Sequence, residues 1–107
     1  MNTYQQLSDM INALEESLQT HDLWLAQKPS NDALSSAEPF AVDTLSFIQW
    51  LQFLFLPRIK QICQETAELP KVCSIAPMAE EYFKSNQIDG DTIISKLIKI
   101  DQLISNA

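Results

Sequence analysis

Glycine and histidine each occur once in 107 residues, and cysteine twice. Each scarcity removes a class of protein. One glycine and five prolines are too few for the tight reversals that a many-stranded β fold requires. His21 is the only imidazole, and Cys63 and Cys73 lie ten residues apart without CxxC spacing. Neither a zinc ligand set nor a dithiol redox motif follows from that, so the thiols are expected reduced and buried as small hydrophobes, and no metal or cofactor is expected. His21, near a helix end between Thr20 and Asp22, is expected in solvent. A P-loop and a GxSxG turn are also missing. The adjacent acids Glu15-Glu16 and Glu80-Glu81 occupy consecutive positions, which diverge around a helix and do not converge as a catalytic dyad. No catalytic residue is nominated.

Positive charge is the other shortage. Seven basic residues face fourteen acidic ones, for a formal charge of −7. Residues 1–50 hold seven acids and only Lys28 as a base, net −6, and residues 51–107 hold seven acids and six bases, net −1. Phosphate backbones are bound by neutralising them with Lys and Arg, so this balance disfavours direct nucleic-acid binding and anionic membranes, and suits a basic protein partner. The most apolar run, 47–56, is interrupted by Gln49 and Gln52 and falls well short of the roughly 20 residues of a membrane span. The start, Met1-Asn2-Thr3-Tyr4, turns acidic at Asp9 and lacks the basic and apolar stretches of a secretory leader, which predicts a cytoplasmic protein.

What is present is helical periodicity. Thr3 followed by Gln6 fits a capping box, and Leu7, Ile11, Leu14 and Leu18 recur at helical spacing, predicting helix 1 over about residues 4–24. Leu23, Trp24 and Leu25 are expected to reach the core. Residues 26–42, with Pro29 and Pro39, predict a long loop holding one helical turn near 31–35. Asp43 is the expected cap of helix 2, running to about residue 67 and kinked between Phe53 and Pro57, because Pro57 cannot donate to the Phe53 carbonyl. Ser74 is expected to cap helix 3, ending near residue 86. Asp89-Gly90-Asp91 then forms a turn and cap before helix 4, with Ile93, Ile94, Leu97, Ile98, Ile100 and Ile104. The predicted fold is all-α: one domain, an antiparallel four-helix bundle with one long loop between helices 1 and 2.

On a wheel at about 100° per residue, helix 2 presents Phe47, Leu51, Leu54, Phe55 and Ile62 as its core stripe. Arg58 falls in the same sector and needs an acceptor there, for which Glu80 or Glu81 is nominated as an ion pair or anion site; alternatively Pro57 rotates Arg58 into solvent. Phe53 and Leu56 fall on the side of Ser46, Gln49, Gln52 and Lys60, with Trp50 at the boundary. Trp50, Phe53 and Leu56 are therefore the candidate interaction surface, unless helix 2 is central and covered on nearly every side.

The stretch Pro39-Phe40-Ala41-Val42-Asp43-Thr44-Leu45-Ser46-Phe47-Ile48-Gln49-Trp50-Leu51-Gln52-Phe53, with Pro57-Arg58, resembles the central motif of the YqcC-like family of small bacterial proteins. Leu69-Pro70 and Ile75-Ala76-Pro77-Met78-Ala79-Glu80-Glu81-Tyr82-Phe83 match it as well. The resemblance spans the chain and implies a four-helix bundle. The family carries by association the label tRNA pseudouridine synthase C. Pseudouridine synthases resemble one another in a larger mixed α/β fold with a catalytic aspartate over a basic RNA cleft. For this helical, acidic chain the resemblance implies an accessory place beside such an enzyme, with Trp50 and Phe53 as contacts.

Three functions follow as expectations. The first is a protein-interaction or accessory module, or a self-associating protein, without catalysis of its own. The second is a binder of a small anionic and apolar ligand near the helix 2 kink, with Arg58 on its head group. The third is the synthase-associated role.

Overall fold

The structure, a computed structural model, describes residues 2–35, 45–71 and 73–106. Helix α1 spans Thr3–Thr20 and α2 is the short turn Asn31–Leu34. Next comes one continuous rod: α3, Phe47–Trp50, a π-helical turn, Leu51–Phe55, and α4, Leu56–Glu65. Helices α5, Ala76–Ser85, and α6, Asp91–Ser105, complete the chain. No strand occurs among the described residues. The expectation of an all-helical chain is met.

The apolar spacing of each helix decides its buried face. Leu7, Ile11, Leu14 and Leu18 of α1 are all buried to within 1%, as their spacing requires. Helix α1 packs on α6 and α4, and α5 packs on α6 and α3. Between them lie Ile48, Leu51, Leu56 and Ile59 of the central rod, Ala79 and Phe83 of α5, and Ile93, Leu97, Ile100 and Ile104 of α6. Ile94 and Ile98, expected in the same core, lie outside that stripe; Ile94 is half-buried and Ile98 is 39% exposed.

Several boundaries shift from expectation. The cap of α1 is Asn2, whose Oδ1 accepts from the Gln5 N–H at 2.9 Å while Gln5 Oε1 accepts from the Asn2 N–H at 3.3 Å. The reciprocal box therefore starts one residue before Thr3 and uses Gln5 in place of Gln6. Helix α1 also stops at Thr20, so Leu23 and Leu25 reach the core from the connection, while Trp24 is 37% exposed. Asp43, the expected cap of the second long helix, lies outside the described residues. The cap that α3 uses is Ser46, reciprocally bonded with Gln49.

Glycine scarcity has a cost at the helix ends. Asp22, Thr66 and Gln87 all take left-handed backbone, at φ of 60, 47 and 55°. Each follows a helix whose last carbonyls accept from the next residues: Leu23 to Leu18, Ala67 to Ile62 and Ile88 to Phe83, at 2.8 to 3.0 Å. These are C-terminal turns that favour glycine, made without it. Thr66 is the least suited, being β-branched. Thr66→Gly is expected to raise stability by about 0.5–1 kcal/mol. Urea unfolding would check this, and a loss of stability would contradict the strain argument.

Candidate functional site

Pro57 organises the rod. It lacks an N–H, and in a regular α-helix its ring would press on the carbonyl of Phe53. The chain widens the preceding turn: the Leu56 N–H donates to the carbonyl of Leu51, five residues back, which is the π-helical pattern. The expected disturbance between Phe53 and Pro57 therefore takes the form of a widened turn over Leu51–Phe55.

That turn inserts about one extra residue and shifts the rest of the wheel by about 100°. Leu56, placed by a uniform helix on the candidate surface, is 1% exposed and belongs to the core. Ile59, also 1% exposed, takes the core sector assigned to Arg58, which is exposed. Of the expected stripe, Leu51 and Phe55 are buried, whereas Phe47, Leu54 and Ile62 are half-buried. Among the described residues no acid forms an ion pair with Arg58. The nominated partners Glu80 and Glu81 are exposed, and Glu81 accepts from the Ser85 hydroxyl at 3.2 Å. Lys60 is paired instead, with Glu15 of α1.

Among the described residues, Trp50, Leu54 and Arg58 line a hollow together with the buried Phe55. Phe53, which precedes Leu54 in the chain, is half-buried and does not line it. The hollow's aromatic wall is continuous with the interior: the Trp50 ring lies tilted at 5.4 Å from Phe55 and 6.1 Å from Phe47, and Phe47 lies 5.7 Å from Tyr82. Ring contacts of this kind stiffen the wall. The hollow combines an apolar floor with a guanidinium rim.

Gln52, expected on the solvated side, is 6% exposed. Its Oε1 accepts from the Leu25 N–H at 2.7 Å and its Nε2 donates to the Leu25 carbonyl at 2.8 Å. One side chain thus imitates a strand partner and ties the connection after α1 to the π-turn, satisfying groups that burial would otherwise penalise. A glutamine inside an apolar run is the one sequence sign of a buried polar group here, and it does not name the partner.

A second polar cluster lies between α5 and α6. Ser74 does not cap α5. Asp101 of α6 does so from across the fold, accepting from the N–H groups of Ile75 and Ala76 at 2.8 Å and from the Cys73 thiol at 3.0 Å. A carboxylate at a helix N-terminus also meets the positive end of the dipole. The Ser105 hydroxyl accepts from the Cys73 N–H at 3.0 Å. Burial, then the hydrogen bond to Asp101 and its charge, push the Cys73 thiol well above its ordinary value of 9.0. Burial also raises Cys63. Both thiols are free and half-buried, and the raised values make them poor nucleophiles.

The sign of the linkage is set by that direction. Below pH 9 both folded and unfolded thiols keep their protons, and the contribution of Cys73 is fully present. Above about pH 9 the unfolded thiol ionises while the folded one does not, so stability falls as pH rises toward the folded value. Urea midpoints at about pH 8 and pH 10 are expected to fall less steeply in Cys73→Ala than in the parent. Equal slopes would remove Cys73 from the alkaline limb.

His21 is exposed, with Nδ1 at 2.8 Å from the Ser17 carbonyl. Among the described residues no three His, Cys, Asp or Glu side chains gather as a metal site, and no helix is long and apolar enough to cross a membrane.

Comparisons with known proteins place this fold. Residues 6–103 match a family model, DUF446, described as tRNA pseudouridine synthase C. The chain is 30% identical over 102 residues to an uncharacterised protein of Haemophilus influenzae, covering 94% of each. It is 27% identical over 106 residues to YqcC of Escherichia coli, covering 99% of this chain and 97% of that one. The solution NMR structure of the E. coli YqcC protein superimposes with a TM-score of 0.87, covering 99% of this chain and 91% of that one at 27% identity. A Pectobacterium carotovorum protein named tRNA pseudouridine synthase C is 28% identical over 87 residues, which are 81% of this chain and 23% of that protein. The family match over nearly the whole length and the shared fold agree: this chain is a member of the YqcC-like DUF446 family.

Proposed function

We infer that this chain is an accessory protein-interaction module that works beside a tRNA pseudouridine synthase and contributes no catalysis of its own. The Pectobacterium relative carries the inference. There a segment matching most of this chain makes up 23% of a protein named tRNA pseudouridine synthase C, joined to a much larger remainder. The H. influenzae and E. coli relatives match it nearly end to end. Covalent joining keeps two units at high effective concentration, and a separate chain needs a docking surface to reach the same end. The long helices, taken as an antiparallel four-helix bundle, provide a rigid scaffold for one, in the cytoplasm where tRNA is modified.

Charge supports the same division of labour. At −7 the chain is repelled by tRNA phosphates, whereas an enzyme that holds tRNA presents cations to it. An acidic module fits beside such a surface. The test is to titrate each full-length tRNA pseudouridine synthase of the same organism with this chain, and to measure tRNA pseudouridine in cells lacking it. Binding of one synthase, with altered pseudouridine at its sites, is the expected result. No binding and unchanged tRNA would overturn the reading.

The hollow at Trp50, Leu54, Phe55 and Arg58 favours a second reading, a binder of a small ligand with an apolar tail and an anionic head. Saturable binding of decanoate, lost in Arg58→Glu, would support it.

A further inference from the structure

We propose that Trp24 and Asp22, on the pinned turn after α1, are the contact through which this chain meets the basic face of its partner: an arginine of that protein stacks on the Trp24 indole and pairs with the Asp22 carboxylate. This rests on the accessory reading above and names the surface it uses. Trp24 is the largest of the three big apolar side chains left exposed among the described residues, at 37%, beside Ile88 at 37% and Ile98 at 39%. Among those residues it joins no ring pair, and its indole makes no hydrogen bond.

The backbone on either side holds the indole out. Asp22, at φ 60°, follows the end of α1, and the Leu23 N–H donates back to the Leu18 carbonyl at 2.8 Å. Both backbone polar groups of Leu25 are bonded to the Gln52 side chain, at 2.7 and 2.8 Å. Leu23 and Leu25 pack against the core, and the residue between them is left at the surface, the alternation of a strand. Turning Trp24 inward would break the bonds of a glutamine that is 6% exposed and leave buried polar groups unpaired. An anchor fixed in this way loses little freedom on binding.

Residue type and charge specify the occupant. Tryptophan is among the side chains that carry most of the energy of protein interfaces. Its face attracts cations, arginine more often than lysine, and a guanidinium can lie on a ring while its N–H fork reaches a carboxylate. Asp22 is an exposed carboxylate two residues away, and Glu16, also exposed, lies in the helix just before it. Residues 1–50 as a whole hold seven acids against one base. This half of the chain repels an acidic partner and attracts a basic one, which matches the cations that an enzyme presents to tRNA.

The experiment measures the dissociation constant of the full chain with each full-length tRNA pseudouridine synthase of the organism, for the parent and four variants. Trp24→Ala removes the indole, and Trp24→Phe keeps an aromatic ring in place with a weaker hold on a cation. Asp22→Asn removes the charge with a residue that accepts left-handed backbone. Ile98→Ala, on α6, is the control at a similarly exposed apolar position. Circular dichroism establishes that each variant is folded. The expected losses of affinity are about tenfold or more for Trp24→Ala, about threefold for Trp24→Phe and for Asp22→Asn, and less than about twofold for Ile98→Ala. If the parent binds a synthase and Trp24→Ala binds as tightly, or Ile98→Ala loses as much, this surface is overturned while the accessory reading stands. Unchanged affinity in Asp22→Asn overturns the arginine pair. If the parent binds no synthase, the surface and the accessory reading fail together.

Discussion

Leu56→Ser is expected to remove about 4 kcal/mol or more of folding stability, while Phe53→Ser, three residues away, removes less than about 1.5 kcal/mol. Truncating a buried leucine costs about 2–5 kcal/mol through lost transfer energy and the cavity left behind, and burying an unpartnered hydroxyl adds about 1–3 kcal/mol. Leu56 is 1% exposed among the residues of the core, whereas Phe53 is half-buried. Small domains are stable by about 5–15 kcal/mol, so Leu56→Ser approaches the limit of folding and Phe53→Ser does not. Urea unfolding of the two variants measures the difference. The contrast tests the π-turn itself, since on a uniform α-helix both residues lie on one outer face and the two costs converge. Equal losses would mean that the widened turn is not there.

Gly90→Ala is expected to lower stability by about 3 kcal/mol, and Gly90→Val by more. A Cβ at this position would stand 2.2 Å from Cδ2, 2.4 Å from Cγ and 2.6 Å from Cε2 of Phe83. These are ring atoms of a side chain that is 2% exposed, so the ring has nowhere to swing without moving its neighbours. Overpacking a closed core typically costs about 1–3 kcal/mol, and more where backbone must shift. The backbone at Gly90, with φ −114° and ψ 16°, is open to other residues, so the requirement for glycine comes from close approach and not from conformation. For a domain of this size each kcal/mol moves the thermal midpoint by about 4–8 °C, giving a fall of more than about 10 °C in a melting experiment. Ser95→Ala, on the exposed side of α6, serves as the control and should change the midpoint little. A Gly90→Ala midpoint within about 2 °C of the parent would show that the Phe83 ring is free to yield.

The two substitutions mark where reading the chain residue by residue succeeds and where it stops. Leu7, Ile11, Leu14 and Leu18 declared the buried face of α1, because in a regular helix the spacing of apolar residues and the direction of side chains are the same information. The helical turn near 31–35 and the turn at Asp89-Gly90-Asp91 were legible for a similar local reason: Ser30 caps Asn31–Leu34, and Asp89 accepts from the Asp91 N–H at 3.2 Å. Pro57 announced a disturbance, since a missing N–H is a property of the residue alone.

How the disturbance is resolved was not legible. A kink and a widened turn both relieve the clash at Phe53, and they send Leu56, Arg58 and Ile59 to different faces. The choice belongs to the packing of Leu56 and Ile59 against the rest of the core. For the same reason the candidate surface of Trp50, Phe53 and Leu56 loses Leu56 to the interior, and Arg58 faces solvent away from any pairing with Glu80 or Glu81. Contacts between distant residues were equally hidden: the Gln52 clamp on Leu25 spans 27 positions, and the cap that Asp101 places on α5 spans 25 and 26. No local pattern marks an acceptor that comes from another helix.

By itself, then, the sequence determined the helical class, the buried face of α1, the net charge of −7, and the place where the central helix must deviate from regularity. Only the tertiary structure decided which residues pass to the surface beyond that place, which polar groups close the helix ends, and that Trp50, Leu54, Phe55 and Arg58 share one hollow. The physical reason is range. Charge and periodicity are sums over neighbours along the chain, whereas a shifted helical register and a cap from another helix are selected by the free energy of the whole packed core.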